Sequence, residues 1–554
     1  MDPITIEVIK YATIFIAEEM GIILRNTAFS PNIKDRHDHS CAIATASGEI
    51  VAQAEHIPVH LGSLFVGIKN VLEYLSKEGI SLDQGDIIIT NDPYIAGTHL
   101  NDVMLLKPIY VKGKILGYLV NKAHHVDVGG SSPGSISVDA KSLIEEGLII
   151  PPIKIAERNR LRKDIIKVLQ SNVRVPKYFK GDLMAQIASL NVGEKRILEL
   201  INRYGYDVIS ESWNEILAYT EKFTRSKINE LVKTYDLVGI YEASEYMELS
   251  DNSLVKIKVS VSINSESIHV DFSGTDPQVN EPINAVYGVT VAATTFALKA
   301  VIDPQMPMNS GFYRVIRIQA PKGSLVNPEP PAPVGGGNVE TSQRIVDVIF
   351  KALSKALLDR VPAASCGTMT NVIIGGKNWV FYETIACGSG GRPSSDGVDG
   401  VHTNMTNTLN TPIEVIEQNY PILFIRYELR RDSEGPGKYR GGLGITRAFK
   451  VLEDNVILTI FSERSLIRPW GIAGGKEALP SEHYVIRSNG KVERLGSKGK
   501  TILNKGDIVV INTPGGGGYG DPCTRDRELI LKDISEGKIS VKKAMKYYCF
   551  EEHG

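Results

Sequence analysis

Cysteine is scarce in this chain of 554 residues, which contains only five. The five are widely spaced, odd in number and never arranged as CxxC. This usage argues against a disulfide framework and is typical of a protein from a reducing compartment. Cys366 and Cys387 are flanked by small residues and have no basic neighbour in the sequence. We therefore expect them to be packing residues rather than reactive thiols.

A dominant charge and a long apolar run are also lacking. The 62 Lys and Arg residues balance 64 Asp and Glu residues to a net charge of −2. This balance gives no indication of binding to nucleic acid or to an anionic membrane. No apolar run approaches the roughly 20 residues of a transmembrane helix, and Glu7 and Lys10 interrupt the segment where a secretory signal would be apolar. We therefore expect a cytoplasmic protein.

The phosphate-loop pattern GxxxxGK[ST] is missing as well, so the sequence gives no sign of an ATP site. Two glycine-rich segments, 333–340 and 514–522, offer backbone N–H groups that can cradle an anion. We favour the alternative that their glycines serve turns or close backbone packing. No cofactor-binding residue is predicted in either segment.

Histidine, by contrast, is concentrated in one part of the chain. Seven of the eleven histidines lie between His37 and His125, and the densest stretch contains His99, Asp102 and His124. Histidine and aspartate are ligands that hold a borderline divalent metal with one coordination position open for catalysis. A single histidine beside a strand is usually structural, so the hypothesis of a metal site depends on whether these side chains converge.

A predicted hairpin makes that convergence testable. Residues 103–110 and 115–121 have the composition of two strands, and Lys112-Gly113 between them is typical of a tight turn. In this register Tyr110 faces Ile115, and paired residue numbers sum to a constant along the hairpin.

The same register predicts that Asn101 faces His124 at the open end of the hairpin. Since opposite residues have Cβ atoms roughly 5 Å apart, His124 returns to the point where His99 and Asp102 precede the first strand. A slip of one residue would leave His125 in the place of His124. The sequence therefore predicts a metal site formed by residues of two segments.

The periodicity of the chain favours an α+β, or mixed α/β, fold with strand-rich N-terminal and C-terminal parts and a helical middle layer. We predict a metal-site α/β region over 1–153, a helical insert or connecting layer over 154–236, and a strand-rich α+β region with C-terminal helices over 237–554. The individual predictions are a helix from Asp2-Pro3 to about Leu24, a hairpin over 41–53, helices over 63–77, 183–204, 209–232, 283–302 and 339–358, strands over 86–90, 254–263 and 267–272, a hairpin over 372–385, and two short helices within 525–548.

Several motifs, in order over nearly the whole chain, carry a resemblance to a known family. They are RNTAFS (25–30), DHSCAI (38–43), HIPVHLG (56–62), NDPYIAGTHLND (91–102), NVETSQR (338–344) and TPGGGGYGDP (513–522). With these motifs the chain resembles the hydantoinase B / 5-oxoprolinase family, the B subunits of ATP-dependent N-methylhydantoinase and oxoprolinase-type enzymes. The α subunits of acetone and acetophenone carboxylases are related to it.

The resemblance implies a division of labour between two chains. A separate subunit of the A type binds ATP and phosphorylates the carbonyl oxygen of a cyclic amide, or bicarbonate and ketone in the carboxylases. The B-type chain holds a divalent metal, Mn²⁺ or Zn²⁺, where the activated intermediate reacts. The family's His-x-x-Asp pair and later His match His99, Asp102 and His124, and Asp38 is a weaker fourth candidate ligand.

The remaining histidines and acids of the cluster have alternative roles. His125 or Asp127 can orient a metal-bound water or act as the base, or each can support the ligands. His60, together with His56, can line the pocket or belong to a structural loop. His37 and His39 stand where the family often carries other residues, so they are not expected to be ligands.

Three functions follow from this reasoning. The leading hypothesis is a hydrolase, part of a hetero-oligomer, that opens a lactam or imide ring of the 5-oxoproline or hydantoin type. The second is an α-type subunit of an ATP-dependent ketone carboxylase. The third is a non-catalytic assembly subunit with a structural metal, for which four protein ligands and a closed site are expected.

Overall fold

The computed structural model describes residues 2–54, 56–237 and 239–551. Its helices are α1 (Pro3–Thr27), α2 (Pro31–Lys34), α3 (Pro58–Lys77), α4 (Pro93–Ala96), α5 (Leu143–Glu146), α6 (Lys163–Ser171), α7 (Pro176–Tyr204), α8 (Tyr206–Tyr235), α9 (Tyr287–Ile302), α10 (Ser310–Tyr313), α11 (Ser342–Leu353), α12 (Ile413–Asn419), α13 (Arg527–Ser535) and α14 (Val541–Tyr547). None of the helices in this part of the chain is long and apolar enough to cross a bilayer.

The strands occur in groups between and after these helices, with seven consecutive strands from Ile422 to Asn512, and the predicted mixed helix-and-sheet class is confirmed. They are β1 (His39–Thr45), β2 (Ile50–Gln53), β3 (Ile87–Thr90), β4 (Asp102–Val111), β5 (Lys114–His124), β6 (Ile153–Glu157), β7 (Arg160–Leu161), β8 (Ile240–Glu248), β9 (Leu254–Ile263), β10 (Ile268–Asp271), β11 (Ile316–Gln319), β12 (Asn371–Gly375), β13 (Val380–Thr384), β14 (Ile422–Leu429), β15 (Ile445–Val451), β16 (Val456–Phe461), β17 (Glu482–Ile486), β18 (Val492–Leu495), β19 (Lys498–Leu503) and β20 (Ile508–Asn512).

The chain forms two compact units. Unit one comprises Met1–Ile240, Ser260–Ser273 and Pro277–Asn338, and unit two comprises Tyr241–Val259, Gly274–Asp276 and Val339–Gly554. The boundary predicted after residue 236 is close to Ile240, where the chain first leaves unit one. The boundary predicted after residue 153 lies inside that unit, since β6 and β7 continue the same sheet as the strands before them.

A seven-stranded sheet in the order β2-β1-β5-β4-β3-β6-β7 is the centre of unit one. One face packs on α3, where Leu64, Ile68 and Val71 meet Tyr118 and Val120 of β5 in a buried core. The other face is covered by α1, α7 and α8. Because both faces are covered by helices, β1 and β4 are buried over nearly their whole length instead of alternating with solvent.

The helices that cover the second face follow their sequence signals. Asp2 caps α1 by accepting the N–H groups of Ile4 and Thr5, as the Asp-Pro start predicts. Helix α7 begins at a proline, and Gly205, with φ of +90°, separates it from α8. The predicted middle layer therefore consists largely of two long helices, which pack on the sheet.

Unit one is completed by strands and a helix from later in the chain. Strand β10 pairs antiparallel with the end of β9 and parallel with β11. Helix α9 packs on α3 so closely that a Cβ added to Gly62 would lie 2.3 Å from the Cα of Ala292.

Unit two contains two antiparallel sheets, β13-β12-β16-β19 and β14-β15-β20-β17-β18. Their facing side chains, among them Ile374, Leu458, Phe449 and Ile511, form one buried core. The predicted hairpin over 372–385 is confirmed as β12 and β13. The two predicted C-terminal helices are confirmed as α13 and α14.

The glycine-rich segment 514–522 packs against other backbone segments in unit two. A Cβ added to Gly516 would lie 1.9 Å from the carbonyl oxygen of Ser389, and one added to Gly517 would lie 1.9 Å from that of Trp470. The N–H groups of Gly516 and Gly517 donate to carbonyl oxygens of Gly442 and Ala364. The favoured interpretation, close backbone packing rather than an anion cradle, is confirmed for this segment.

The prediction from cysteine usage is wrong. Cys366 and Cys387 form one disulfide, with Cα atoms 6.0 Å apart, and Cys523 and Cys549 form a second, with Cα atoms 5.1 Å apart. Cys41 is buried and free. Spacing along the chain could not reveal these pairs, because the fold brings together residues that are 21 and 26 positions apart. The argument for a reducing compartment therefore loses its basis.

Candidate metal centre

The hairpin that carries the candidate ligands has the predicted turn. Tyr110 pairs with Ile115, and Lys112 and Gly113 have φ of +50° and +78°, as a two-residue hairpin loop of type I′ requires. The register then shifts between Ile109 and Tyr110, so that β5 contains one extra residue.

This bulge corrects the predicted pairing at the open end. Asp102, not Asn101, lies opposite His124. The extra residue on β5 moves every later pair by one position, which the turn residues could not indicate. The observed register favours a metal site, because a candidate ligand of β4 directly faces a candidate ligand of β5.

Three predicted ligands converge at this point. The Nε2 atom of His99 lies 3.2 Å from Oδ1 of Asp102 and 3.2 Å from Nδ1 of His124. Nδ1 of His124 is 3.4 Å from the same Asp102 oxygen. All three residues are buried, and their ligand atoms lie within 4.8 Å of one another.

His60 and Asp38 approach the same oxygen from neighbouring elements. His60, in the first turn of α3, places Nε2 3.3 Å from Oδ1 of Asp102. Asp38, just before β1, has carboxylate oxygens 3.8 Å from Nδ1 of His124 and 3.9 Å from Nε2 of His60. The backbone N–H of His124 donates to the carbonyl of Asp38, which holds that residue beside the cluster.

The donor set fits a divalent metal. Oδ1 of Asp102 is fully buried and accepts no hydrogen bond of good geometry from any described residue, although three imidazole nitrogens lie within 3.4 Å of it. Imidazole nitrogens and carboxylate oxygens that point at one another suit Zn²⁺ or Mn²⁺. His99, Asp102 and His124 are the residues that could hold such an ion.

A hydrogen bond fixes the orientation of His99. Its Nδ1 atom is 3.1 Å from the carbonyl oxygen of Gly335, so Nδ1–H donates there and, in the neutral imidazole, Nε2 presents its lone pair to the cluster. The loop that carries Gly335 is held in turn by Glu146, whose carboxylate accepts the N–H groups of Val334 and Gly335. Sequence reasoning missed Glu146, which lies 44 residues after Asp102 and matches no motif.

A second missed residue, Asn338, belongs to one of the family motifs. Its side-chain N–H₂ lies 3.5 Å from Oδ2 of Asp102, the oxygen that does not face the imidazoles. The segment Gly337–Thr341 forms a π-helical turn before α11, a feature that is frequent at functional sites. The motif over 338–344 was therefore the available signal, although the sequence alone assigned it no role.

Lys122 is a third residue that the sequence reasoning did not single out. It lies two positions before His124 on β5, and its buried Nζ atom donates to Ser63 Oγ and to the carbonyl oxygen of Ala96. Burial lowers its pKa to about 8. Since residues i and i+2 of a strand share a face, its spacing from His124 was the available signal.

The electrostatics keep the central carboxyl ionised. Burial by itself would raise the pKa of Asp102, but the imidazoles of His99 and His60 outweigh burial and hold this pKa well below its usual value. Burial lowers the pKa of His124 and so favours its neutral form. Burial also opposes protonation of His99, but Asp102 overrides it and raises the pKa of His99.

The structure places the other candidates elsewhere. His125 follows His124 and contacts α7, with Nε2 2.9 Å from Oε1 of Gln186 and its ring against Phe179. Asp127 accepts the N–H groups of Gly129, Gly134 and Arg174 and forms an ion pair with the Arg174 guanidinium, 3.0 Å away. Both sets of contacts favour a supporting role over direct participation.

His56 also faces away from the cluster. Its ring packs against that of His39 at 4.7 Å, and its Nε2 atom is 3.6 Å from Glu18 of α1. Of the two histidines in the HIPVHLG motif, only His60 is therefore brought to the candidate ligands.

Fold and site together define a mixed helix-and-sheet protein with a buried candidate metal centre, and comparison with known proteins gives its family. A family model described as hydantoinase B/oxoprolinase matches residues 2–522. The chain belongs to this family.

Relatives span prokaryotes and eukaryotes. An uncharacterised protein of Methanocaldococcus jannaschii is 59% identical over 99% of this chain and 96% of its own length. The putative B subunit of a D-/L-hydantoinase from Pseudomonas sp. is 33% identical over 99% of this chain and 95% of its own length. The 5-oxoprolinase of Dictyostelium discoideum is 34% identical over 94% of this chain, which spans only 40% of that longer protein.

Two solved structures share the fold. The ATP-dependent caprolactamase of Pseudomonas jessenii matches with a TM-score of 0.92 and 29% identity over 100% of this chain and 97% of its own. An acetone carboxylase matches with a TM-score of 0.91 over 99% of this chain and 79% of its own. The identity to the carboxylase is 18%, so this second likeness concerns the fold alone.

Proposed function

We propose that this chain is the B-type subunit of an ATP-dependent cyclic amidohydrolase, which opens a lactam or imide ring of the 5-oxoproline or hydantoin type at a divalent metal. The observation that carries the proposal is the convergence of His99 and His124 on the unsatisfied Oδ1 of Asp102. The family includes 5-oxoprolinases and an ATP-dependent caprolactamase, all of which act on cyclic amides.

His99, Asp102 and His124 would hold the metal, Mn²⁺ or Zn²⁺, with Asp38 as the nearest further carboxylate. When bound, such an ion would lower the pKa of a coordinated water and polarise the activated ring carbon. Gly335 keeps the Nε2 lone pair of His99 directed at the site. These residues orient the ligand set before substrate arrives, which is the arrangement that a catalytic metal needs.

His60 is the best-placed proton acceptor. Its Nε2 atom lies between Asp102 and Asp38, at 3.3 and 3.9 Å, and its Nδ1 atom is 3.3 Å from Ser40 Oγ. An imidazole held between two carboxylates can take a proton from an attacking water and return it to the leaving nitrogen. His125 and Asp127 would support the site from behind.

An A-type partner would supply the activated substrate. This chain lacks a phosphate-loop motif, and it spans less than half of the 5-oxoprolinase of Dictyostelium discoideum, which leaves room in that protein for a second function. A hetero-oligomer with an ATP-binding partner is part of the proposal. So is a cytoplasmic location, which requires that the two disulfides persist in a compartment where disulfides are rare. Phosphorylation of the amide carbonyl oxygen by the partner would make the ring carbon reactive before it reaches the metal.

The first test is the metal content of the purified chain. We expect about one equivalent of Mn or Zn per chain, measured by elemental analysis, and its loss in His124→Ala. His125→Gln, on the adjacent residue that contacts α7 instead, is the matched control and should keep the metal. A metal-free wild type, or a His124→Ala variant that keeps its metal, would remove the site assignment.

The second test distinguishes the reaction classes. The chain is combined with the A-type partner of its own source, and ADP release is measured with cyclic amides of five and six members. Ring opening coupled to ADP release supports the proposal. Substrate-dependent fixation of labelled bicarbonate would establish the carboxylase alternative. The absence of both, with a metal whose removal mainly lowers the melting temperature, would establish an assembly role.

A further inference from the structure

A second concave site lies in unit two, on segments that the metal centre does not use. It is a groove of about 630 Å³, within the range of small-ligand sites. Its walls carry the five cations Arg468, Lys476, Lys542, Lys543 and Lys546 against the two carboxylates Asp432 and Glu477. This excess of positive charge contrasts with the net charge of −2 of the whole chain.

Most of these cations form no ion pair with a described residue. Lys543 is the exception, because its Nζ donates to the carbonyl oxygens of Asp432 and Glu434 and pairs with Oε1 of Glu434 at 2.8 Å. The other four cations form no ion pair with a carboxylate of any described residue. Asp432 is already engaged, since its Oδ1 accepts the N–H of Ser540. Like charges gathered in one groove without partners repel one another, unless an anion binds there.

Two aromatic rings complete the lining. Trp470 and Tyr547 both face the groove. The indole N–H of Trp470 is buried and has no acceptor among the described residues, although such a donor usually finds one. The Nζ of Lys546 lies 4.8 Å from the centre of the Tyr547 ring, so charge and aromatic surface are adjacent.

We propose that this groove binds a small organic anion with two or more phosphate groups on a planar ring, the chemistry of a nucleoside di- or triphosphate. Lysine ammonium groups bind phosphate as point charges, and the Arg468 guanidinium can form a bidentate pair with a phosphate group. Trp470 and Tyr547 offer faces on which a planar ring can stack. A groove of this volume suits a small molecule better than an extended acidic peptide.

Fluorescence of Trp470 and titration calorimetry test the proposal on the full chain, with neither partner subunit nor cyclic amide present. The probes are ATP, ADP, adenosine, inorganic tripolyphosphate and a polyglutamate peptide. ATP and ADP should bind. Adenosine, which lacks the phosphate groups, and tripolyphosphate, which lacks the planar ring, should each bind at least about tenfold more weakly. Trp470→Phe should abolish the fluorescence change.

Charge reversal on the walls identifies the binding site. Lys476→Glu and Lys542→Glu should each weaken ATP binding about tenfold, while Lys491→Glu, on an exposed turn of the same unit, should change it less than about twofold. Thermal melts of the variants check that they are folded. Absence of ATP binding, equal binding of ATP and tripolyphosphate, preference for the polyglutamate peptide, or insensitivity to both groove variants would overturn the proposal. The result is independent of the proposed function, because neither metal nor partner enters the measurement.

Discussion

A single oxygen atom, Oδ1 of Asp102, organises the candidate metal centre. Three imidazole nitrogens approach it, and no described residue satisfies it by a well-formed hydrogen bond. Buried carboxylate oxygens rarely lack a hydrogen bond, and here the nearby imidazoles of His99 and His60 offset the cost of burial. The identity of the ligands could be predicted from residue types and spacing. Asn338 and Lys122 had a signal in a motif and in a spacing, whereas the supporting residue Glu146 had none.

Glu146 gives the first prediction at this scale. Its carboxylate holds the loop whose Gly335 carbonyl orients His99. Glu146→Gln keeps the size but replaces one acceptor oxygen by a donor, so we expect the metal affinity to fall about tenfold, as for other residues that orient a ligand. Metal affinity is measured by competition with a chelator of known affinity.

The neighbouring residue provides the control. Glu145→Gln alters an exposed side chain whose hydrogen bonds to the described residues stay within its own turn, with Lys141 N and Ser142 Oγ. It should leave metal affinity unchanged. If Glu146→Gln binds metal as tightly as the wild type while both proteins melt at the same temperature, the orienting role of Glu146 is refuted.

His483 gives a prediction of pH dependence in unit two. Burial, together with the Arg430 guanidinium, lowers its pKa to about 3, whereas a histidine in the unfolded chain titrates near about 6.5. The unfolded state therefore binds the proton first as the pH falls. The contribution of neutral His483 to the free energy of unfolding is complete above about pH 6.5. It is lost as the pH falls toward 3, by up to about 1.4 kcal/mol per pH unit.

Urea denaturation at several pH values measures this contribution. His483→Gln can keep a bond to Ser462 Oγ, which lies 3.0 Å from Nε2 of the histidine, but glutamine does not titrate. The free energy of unfolding of the wild type should therefore fall relative to that of the variant as the pH is lowered from about 6.5 to about 4.5. Parallel pH curves for the two proteins would show that His483 is not held neutral by the fold.

Secondary-structure elements decide where the ligands stand. The bulge in β5 brings Asp102 opposite His124, and the turn at Lys112-Gly113 allows the hairpin to form. Helix α3 carries His60 in its first turn, and the glycine-ended helix α4 delivers His99. Each of these elements is indicated by a pattern in the sequence, except the bulge, because no particular residue type marks its position.

The glycine-rich segment of unit two gives a prediction at the scale of elements. A Cβ added to Gly516 would overlap the carbonyl oxygen of Ser389. Gly516→Ala should therefore lower the free energy of unfolding by about 3 kcal/mol, since neither backbone can move without disrupting its hydrogen bonds. Gly496→Ala is the control, because the nearest atom to its added Cβ is 4.0 Å away. Equal melting temperatures for the two variants would contradict the close packing.

At the scale of the whole molecule, the two disulfides are the largest departure from expectation. Thiol titration of the chain unfolded without reductant should find one free thiol among five cysteines, that of Cys41. The two pairs close segments of 21 and 26 residues, so reduction should lower the free energy of unfolding by about 3 kcal/mol for each. Five free thiols in freshly purified protein would restore the prediction of a reducing compartment.

The sequence by itself determined the class of fold, most elements, the family and the identity of the three central ligand candidates. These features depend on local patterns: hydrophobic periodicity, caps and turns, and motifs of several residues in order. Even the approximate proximity of Asp102 and His124 was local, because a short turn joins their strands and the two strands pair along ten positions from that turn to these residues.

Only the tertiary structure decided what depends on contacts between distant segments. The packing of the chain pairs the cysteines and places Asp38 and His60 beside the candidate ligands. It also places His125 against α7 and lets Asp127 accept hydrogen bonds from the loop that contains Gly129 and Gly134. It also brought Glu146 to Gly335, 189 positions away in the sequence. Such contacts result from the packing of complete elements around a core, and no pattern within a single segment encodes them.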